Sequence, residues 1–236
     1  MQGLYDYQTT PNKDLYANLV LNIVASNDTI ILTLVYLKPI PNRPVYAPFY
    51  KLTPVTSTDV SLTLHQLMGL FPTPALPRWS WYSASLTPNT ALYSQLSNLL
   101  TTAPEVFTIA ALQAGSVVGT VQPISSNRGG NALGLQAVNQ TWFSVNAAWW
   151  NAEDDVAAYA ALASLHNKVE ALIKGAGADV RYIFRNDANI HQSVIASYGA
   201  ANVARLKNFQ RVYDPQAVFQ KLVTGGQKLP GIDMSN

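Results

Sequence analysis

The chain of 236 residues contains no cysteine, which excludes disulfides, thiolate metal sites and any cysteinyl cofactor link. Charge is scarce: Asp, Glu, Lys and Arg make up 12% of the residues, for a net charge of +2. Nucleic-acid surfaces need clustered Lys and Arg, and here these residues are scattered, so no nucleic-acid partner is expected. The three histidines, His65, His166 and His191, stand far apart without paired carboxylates, so no metal site is expected. No apolar run approaches membrane-spanning length, and no basic stretch leads into an apolar one near Met1. The expectation is a soluble, cytoplasmic chain with no membrane partner. Nucleophile-elbow chemistry is missing too, since no Gly-x-Ser-x-Gly occurs. The stretch RGGNALGL (128–135) lacks the Lys-Ser/Thr of a phosphate loop and reads as a glycine turn between strands.

What the chain does have is apolar and aromatic mass, 48% and 10% of residues, enough to bury one large core. No repeat or long linker divides it, so residues 1–236 form a single expected domain. Residues 15–38 read as two Val/Ile/Leu-rich strands turned at Ser26-Asn27-Asp28. A proline-rich extended connector follows, then a helix over 57–71 capped by Ser57 or Thr58. Residues 78–86 alternate as a strand, and 87–103 form a helix. Residues 105–124 read as a second strand pair turned at Gly115-Ser116, and 141–150 as another strand. An Ala-rich helix runs from Asn151 to about Lys174 and ends at Gly175-Ala176-Gly177. The stretch DVRYIFRND (179–187) reads as a last short strand, and the helix AANVARLKNFQRVY follows from Ala200. Asp214 and Pro215 then begin a short helix with Val218, Phe219 and Leu222 on one face. Tight turns between successive strands favour α+β: an antiparallel sheet of about six or seven strands covered by helices on one face.

The chemistry-bearing candidates are polar and aromatic residues assigned to strands: Tyr82, Gln122, Asn131, Trp142, Asn146 and Asn186. Alternate strand residues share a face, so several of these would line one cleft. Equally, they would serve as hydrogen-bond ties for loops.

The C-terminal third adds a family pattern. Its ordered elements are Phe184-x-Asn186-Asp187-Ala188, Gln192, Ser197-Tyr198-Gly199, Arg205-Leu206-Lys207, Tyr213-Asp214-Pro215, Val218-Phe219-Gln220 and Gly225-Gly226-x-Lys228-Leu229. Further upstream stand Thr9-Thr10-Pro11-Asn12, Gln122-Pro123-Ile124 and Gly129-Gly130-Asn131-Ala132-Leu133-Gly134-Leu135. In these the chain resembles fungal FAD-linked oxidoreductases of the berberine-bridge-enzyme-like group, in the vanillyl-alcohol-oxidase superfamily.

The resemblance implies the substrate-binding part of an oxidase that moves a hydride from an alcohol or amine carbon to flavin. Full-length members carry FAD on a separate domain with a loop similar to Arg-Ser-Gly-Gly-His, and no such loop occurs in these residues. The chain by itself is therefore expected not to retain FAD. Residues 200–229 correspond to the helical segment that packs on that domain. Members often place a tyrosine base where Phe184 stands, and Phe184 cannot take a proton; Tyr82 or Tyr182 would have to substitute. Asn186 and Tyr82 are the catalytic candidates. Gln122, Asn131, Trp142, Asn146 and Phe184 are the substrate-facing ones, and Asn186 and Tyr213 face the cofactor. A small-molecule substrate is implied, with a flavin-bearing partner or a second copy of the chain as protein partner. The rival readings are a cofactor-free binder or cyclase of fungal secondary metabolism using the same cleft, and a non-catalytic remnant acting through association.

Overall fold

The computed structural model describes residues 1–25, 29–41, 43–70, 74–124 and 131–231. Helix α1 (Gln2–Thr9) leads into strands β1 (Ala17–Val24) and β2 (Thr29–Tyr36). These pair antiparallel over all eight positions; the expected turn at 26–28 lies outside the described residues. Helices α2 (Ala47–Tyr50) and α3 (Leu64–Gly69) precede β3 (Arg78–Leu86), and α4 (Thr90–Thr102) and α5 (Pro104–Ala110) lead to β4 (Ser116–Ile124). Strand β5 (Gln140–Trp149), helix α6 (Asp155–Gly175) and the two-residue β6 (Asp179–Val180) follow. The chain then passes through α7 (Val194–Ser197), α8 (Ala200–Tyr213) and α9 (Val218–Lys221). All pairings of the six strands are antiparallel, in the order β2-β1-β4-β5-β3-β6. The architecture is α+β.

Register divides the sheet into two unlike faces. Leu21 pairs with Val121, Val121 with Phe143, and Phe143 with Ala84, so these residues share one face. That face is the core. Leu92, Leu96 and Leu100 of α4 and Leu162, Leu165 and Val169 of α6 are fully buried in the same cluster. Each such leucine contributes roughly 1.5–3 kcal/mol of burial. Helix α6 follows the spacing that its sequence sets, with Ala158, Leu162, Leu165, Val169 and Ile173 inward.

Five expectations need correction. The strand expected over 179–187 pairs only at Asp179 and Val180, because the Gln192 side chain takes the next backbone groups of β3 at Ser83, and Arg185–Asp187 is a 3-10 turn. Residues 105–110 are helix, because Pro104 takes the first helical position and Glu105 the first turn; the turn at Gly115 joins α5 to β4. The helix expected over 57–71 forms only at Leu64–Gly69, where Thr63 and Gln66 close a capping box. Within the proline-rich connector, Pro44 starts a short turn that buries Tyr46 and continues into α2. The Tyr46 hydroxyl lies 2.8 and 2.7 Å from the carbonyls of Asn18 and Val35, tying the connector to the hairpin. The last helix starts at Val218 rather than Pro215, because Ala217 is left-handed; Asp214 still caps it, accepting from the Val218 and Phe219 N–H groups.

Among the described residues β2 lies at one border of the sheet beside β1, and its sequence TIILTLVY carries neither charge nor proline. Near the centre the core face admits no side chain at Gly119: a Cβ there would sit 2.1 Å from Leu100 Cδ1, and Leu100 is fully buried. Gly119→Ala is therefore expected to destabilise by about 1–3 kcal/mol through overpacking. Chemical denaturation measures this, and an unchanged midpoint would show that α4 yields at that point.

Candidate active face

The opposite face is polar and aromatic. Gln122 pairs with Trp142, Thr120 with Ser144 and Val118 with Asn146 across β4 and β5. Trp142 then pairs with Ser85, Ser144 with Ser83 and Asn146 with Trp81 across β5 and β3. Asn22 extends the Thr120 row onto β1, and its side-chain oxygen accepts from the Thr120 hydroxyl at 2.8 Å. Of the candidates, Gln122, Trp142 and Asn146 thus lie side by side, each half-buried. Tyr82 does not join them. It pairs with Val145 on the core side and stacks on His166 of α6 at 4.6 Å.

Beyond β6 the chain stops pairing through its backbone and is fastened by side chains. The Gln192 side-chain oxygen accepts from the N–H groups of Ser83 (2.9 Å) and Asn189 (3.0 Å), and its nitrogen donates to the Ser83 carbonyl (2.7 Å). Gln192 thus occupies the edge of β3 where a strand would lie. Ser197 Oγ accepts from the Ile183 N–H, and Arg181 Nε donates to the Ser197 carbonyl. Tyr182, Tyr198, Val180 and Val194 form a second small core, against which Trp142 and Phe184 pack. Trp142 and Phe184 stack with centroids 4.1 Å apart, making an aromatic wall.

Past that wall, the 3-10 turn Arg185–Asp187 sets a carboxylate over the sheet. Asp187 Oδ2 accepts from Gln122 Nε2 at 2.9 Å. Burial raises the Asp187 pKa, opposed by the neighbouring Ser144 hydroxyl and by Gln122. Ser144, Ser83 and Ser85 are buried hydroxyls with no geometrically formed hydrogen bond among the described residues. Asp187 was not among the sequence candidates. Its only signal was its place beside Asn186 in the Asn-Asp pair. Asn186 itself is exposed on the same turn. Tyr182 lies in the small core, where burial pushes its phenol up to about 12. Asn131 sits in the loop after β4, its side chain accepting from the Leu133 N–H; the preceding glycines at 129–130 lie outside the described residues.

Tyr213 is exposed on α8, its ring tilted against that of Phe209 with centroids 4.5 Å apart. Both line a cavity of about 510 Å3 between α8 and the C-terminal segment, with Phe219 and Leu229 opposite. Among the described residues no cluster of His, Asp or Glu could hold a metal, and no helix is long and apolar enough to cross a membrane.

No family model matches the chain. It is 27% identical over 237 residues to the bifunctional solanapyrone synthase of Alternaria solani, covering 97% of this chain and 46% of that protein. It is 26% identical over 241 residues to an FAD-dependent monooxygenase of Arthrobotrys oligospora, covering 96% and 45%. The chain spans about half the length of the curated relatives it matches. Among solved structures it shares the fold of 6-hydroxy-D-nicotine oxidase from Arthrobacter nicotinovorans, with a TM-score of 0.69 at 14% identity over 93% of this chain and 48% of that one. The BBE-like 1 protein of Physcomitrella patens gives 0.66 at 12% identity, over 100% and 50%. The resemblance to fungal FAD-linked oxidoreductases of the berberine-bridge-enzyme-like group holds in sequence and in fold, over part of those proteins' length.

If Gln192 stands in for a strand, Gln192→Ala leaves both backbone groups of Ser83 without their partner. A loss of about 1–3 kcal/mol is expected, from two hydrogen bonds. Hydrogen exchange at the Ser83 amide should quicken in the same variant, and unchanged protection there would contradict the arrangement.

Proposed function

We propose that these residues are the substrate-binding portion of an FAD-dependent oxidase that acts on an alcohol or amine carbon by hydride transfer to flavin. The observation that carries this reading is the open sheet face. One side of the sheet is sealed by helices, while the other presents Gln122, Asn146, Trp81 and Trp142 beside a carboxylate, on a fold shared with flavin oxidases. Such a face fits the ring end of a flavin and a flat substrate, offering stacking walls and amides at fixed spacing. Asn186 and Tyr213 are both exposed and not spent on the chain's own core, so they are the residues that would face the cofactor. When bound, FAD supplies the two-electron chemistry. The protein residues orient the substrate carbon, exclude water and receive a proton.

The second support is apolar. Phe209, Val212, Tyr213, Phe219 and Leu222 on α8 and after it are 60–72% exposed. A contiguous apolar surface of this kind marks an interface. We assign it to the flavin-bearing part of the protein, in keeping with relatives about twice as long.

The purified chain should be colourless and should hold no FAD in proportion to protein. Mixed with the part of the Alternaria solani relative that it does not match, it should gain bound-flavin absorbance. Phe209→Ser combined with Phe219→Ser should weaken that association at least about tenfold, equivalent to about 1.4 kcal/mol. A chain that is yellow by itself would defeat the reading. Conversion of a substrate by colourless protein without oxygen would favour the cofactor-free cyclase instead.

A further inference from the structure

Resting on that reading, the structure raises the question of where the substrate's proton goes. Phe184 has no acidic proton to exchange. Tyr82 lies on the core side beneath α6, and Tyr182 is enclosed by Tyr198 and Trp142. Neither phenol reaches the open face. The turn carrying Phe184 does bring one ionisable group there. Asp187 is held over the β4–β5 row by Gln122, next to the Trp142–Phe184 wall and the Ser144 hydroxyl.

Among the described residues the groups around Asp187 are neutral; Arg128, six positions after Gln122, lies outside them. Gln122 comes from β4, Ser144 and Trp142 from β5, and Ser83 and Ser85 from the adjoining rows of β3. On its own turn the one cation, Arg185, is exposed and lines the C-terminal cavity. The ion pairs of the described residues lie elsewhere, at Arg43–Asp59, Arg78–Asp155, Lys168–Glu105 and around Glu170. A half-buried carboxylate with no cation beside it among the described residues weakens the fold, and a role in the chemistry would account for its presence there.

We propose that Asp187 is the acid–base group of the active face and takes the proton of the hydroxyl or amine on the carbon being oxidised. In that step the O–H or N–H bond breaks and its proton joins an Asp187 carboxylate oxygen. The same carbon gives up hydrogen with both electrons of its C–H bond to a flavin. The C–O or C–N bond becomes double, and Asp187 is left as a neutral acid. Gln122 is a positioning residue, since its amide fixes the carboxylate against the sheet while leaving Asp187 Oδ1 for the substrate.

The test begins with the chain alone. Burial raises the Asp187 pKa in the fold, so this group's stabilising contribution is full at low pH and is lost as pH rises through the folded value. Asp187→Asn keeps an oxygen acceptor for Gln122 and removes the charge. It should therefore melt about 2–4 °C above the wild type at pH 7, and the gap should close towards pH 4. Carboxyl 13C NMR of the wild type should show one resonance, absent from the variant, that titrates above the ordinary 3.8. In a flavin-bearing pair that benzyl alcohol or benzylamine reduces, the variant should slow anaerobic reduction by about 10²–10⁴-fold. A lower melting point at pH 7, a carboxyl titrating at or below 3.8, or an unchanged reduction rate would each overturn the proposal. Failure to acquire flavin defeats the proposed function instead, while the titration of Asp187 is read without flavin.

Discussion

Everything in this protein hangs on the register of β5 between β3 and β4. Nine pairs on each side fix it, from Ile124↔Gln140 to Ser116↔Ala148 and from Leu86↔Thr141 to Arg78↔Trp149. With that register Phe143, Val145, Ala147 and Trp149 meet the helices, while Trp142, Ser144 and Asn146 face away. A slip by one residue would drive the polar set into the core and expose the apolar one. The gap at Gly119, filled by Leu100, resists any sliding of α4 over the sheet. One pairing therefore specifies both the core and the chemical character of the other face.

Onto this floor the segment 181–199 is laid by a different principle. The backbone just before it forms two ladder pairs, Ser85↔Val180 and Leu86↔Asp179, and pairing with β3 ends there. The rest is decided by side chains: Gln192 on Ser83, Ser197 on Ile183, Trp142 on Phe184, and Gln122 on Asp187. Asp187 and the Phe184 wall are thus placed by contacts with residues about forty to a hundred positions away in sequence. Among the described residues the result is a mostly uncharged, partly dry surface around the Asp187 carboxylate, on which desolvation is the largest influence.

Much of the sheet was legible because β-branched runs and turn residues mark β1, β2, β3 and β5, and α6 is long and periodic. The segment 105–110 was not, since Val106, Phe107, Thr108 and Ile109 have strand propensity and only Pro104 spoke for a helix. For the site, sequence distinguishes odd from even positions within one strand, but the parity between strands comes from register. That is why Tyr82 could be grouped with Asn146 when its actual partner is Val145. Asp187 escaped notice for a related reason. Read as a strand, 179–187 would place Asp187 and Asn186 on opposite faces; only the observed 3-10 turn at Arg185–Asp187 sets the carboxylate where Gln122 donates to it at 2.9 Å.

The floor's two borders are chemically unlike. On the β3 side the main-chain groups of Ser83, next to the short β6, are taken up by the Gln192 amide. On the β2 side the residues after Thr29 are uncharged and proline-free, without the charges or prolines that usually blunt a sheet edge. A further polypeptide added along β2 would widen the platform away from Asp187 and leave the carboxylate's surroundings as they are.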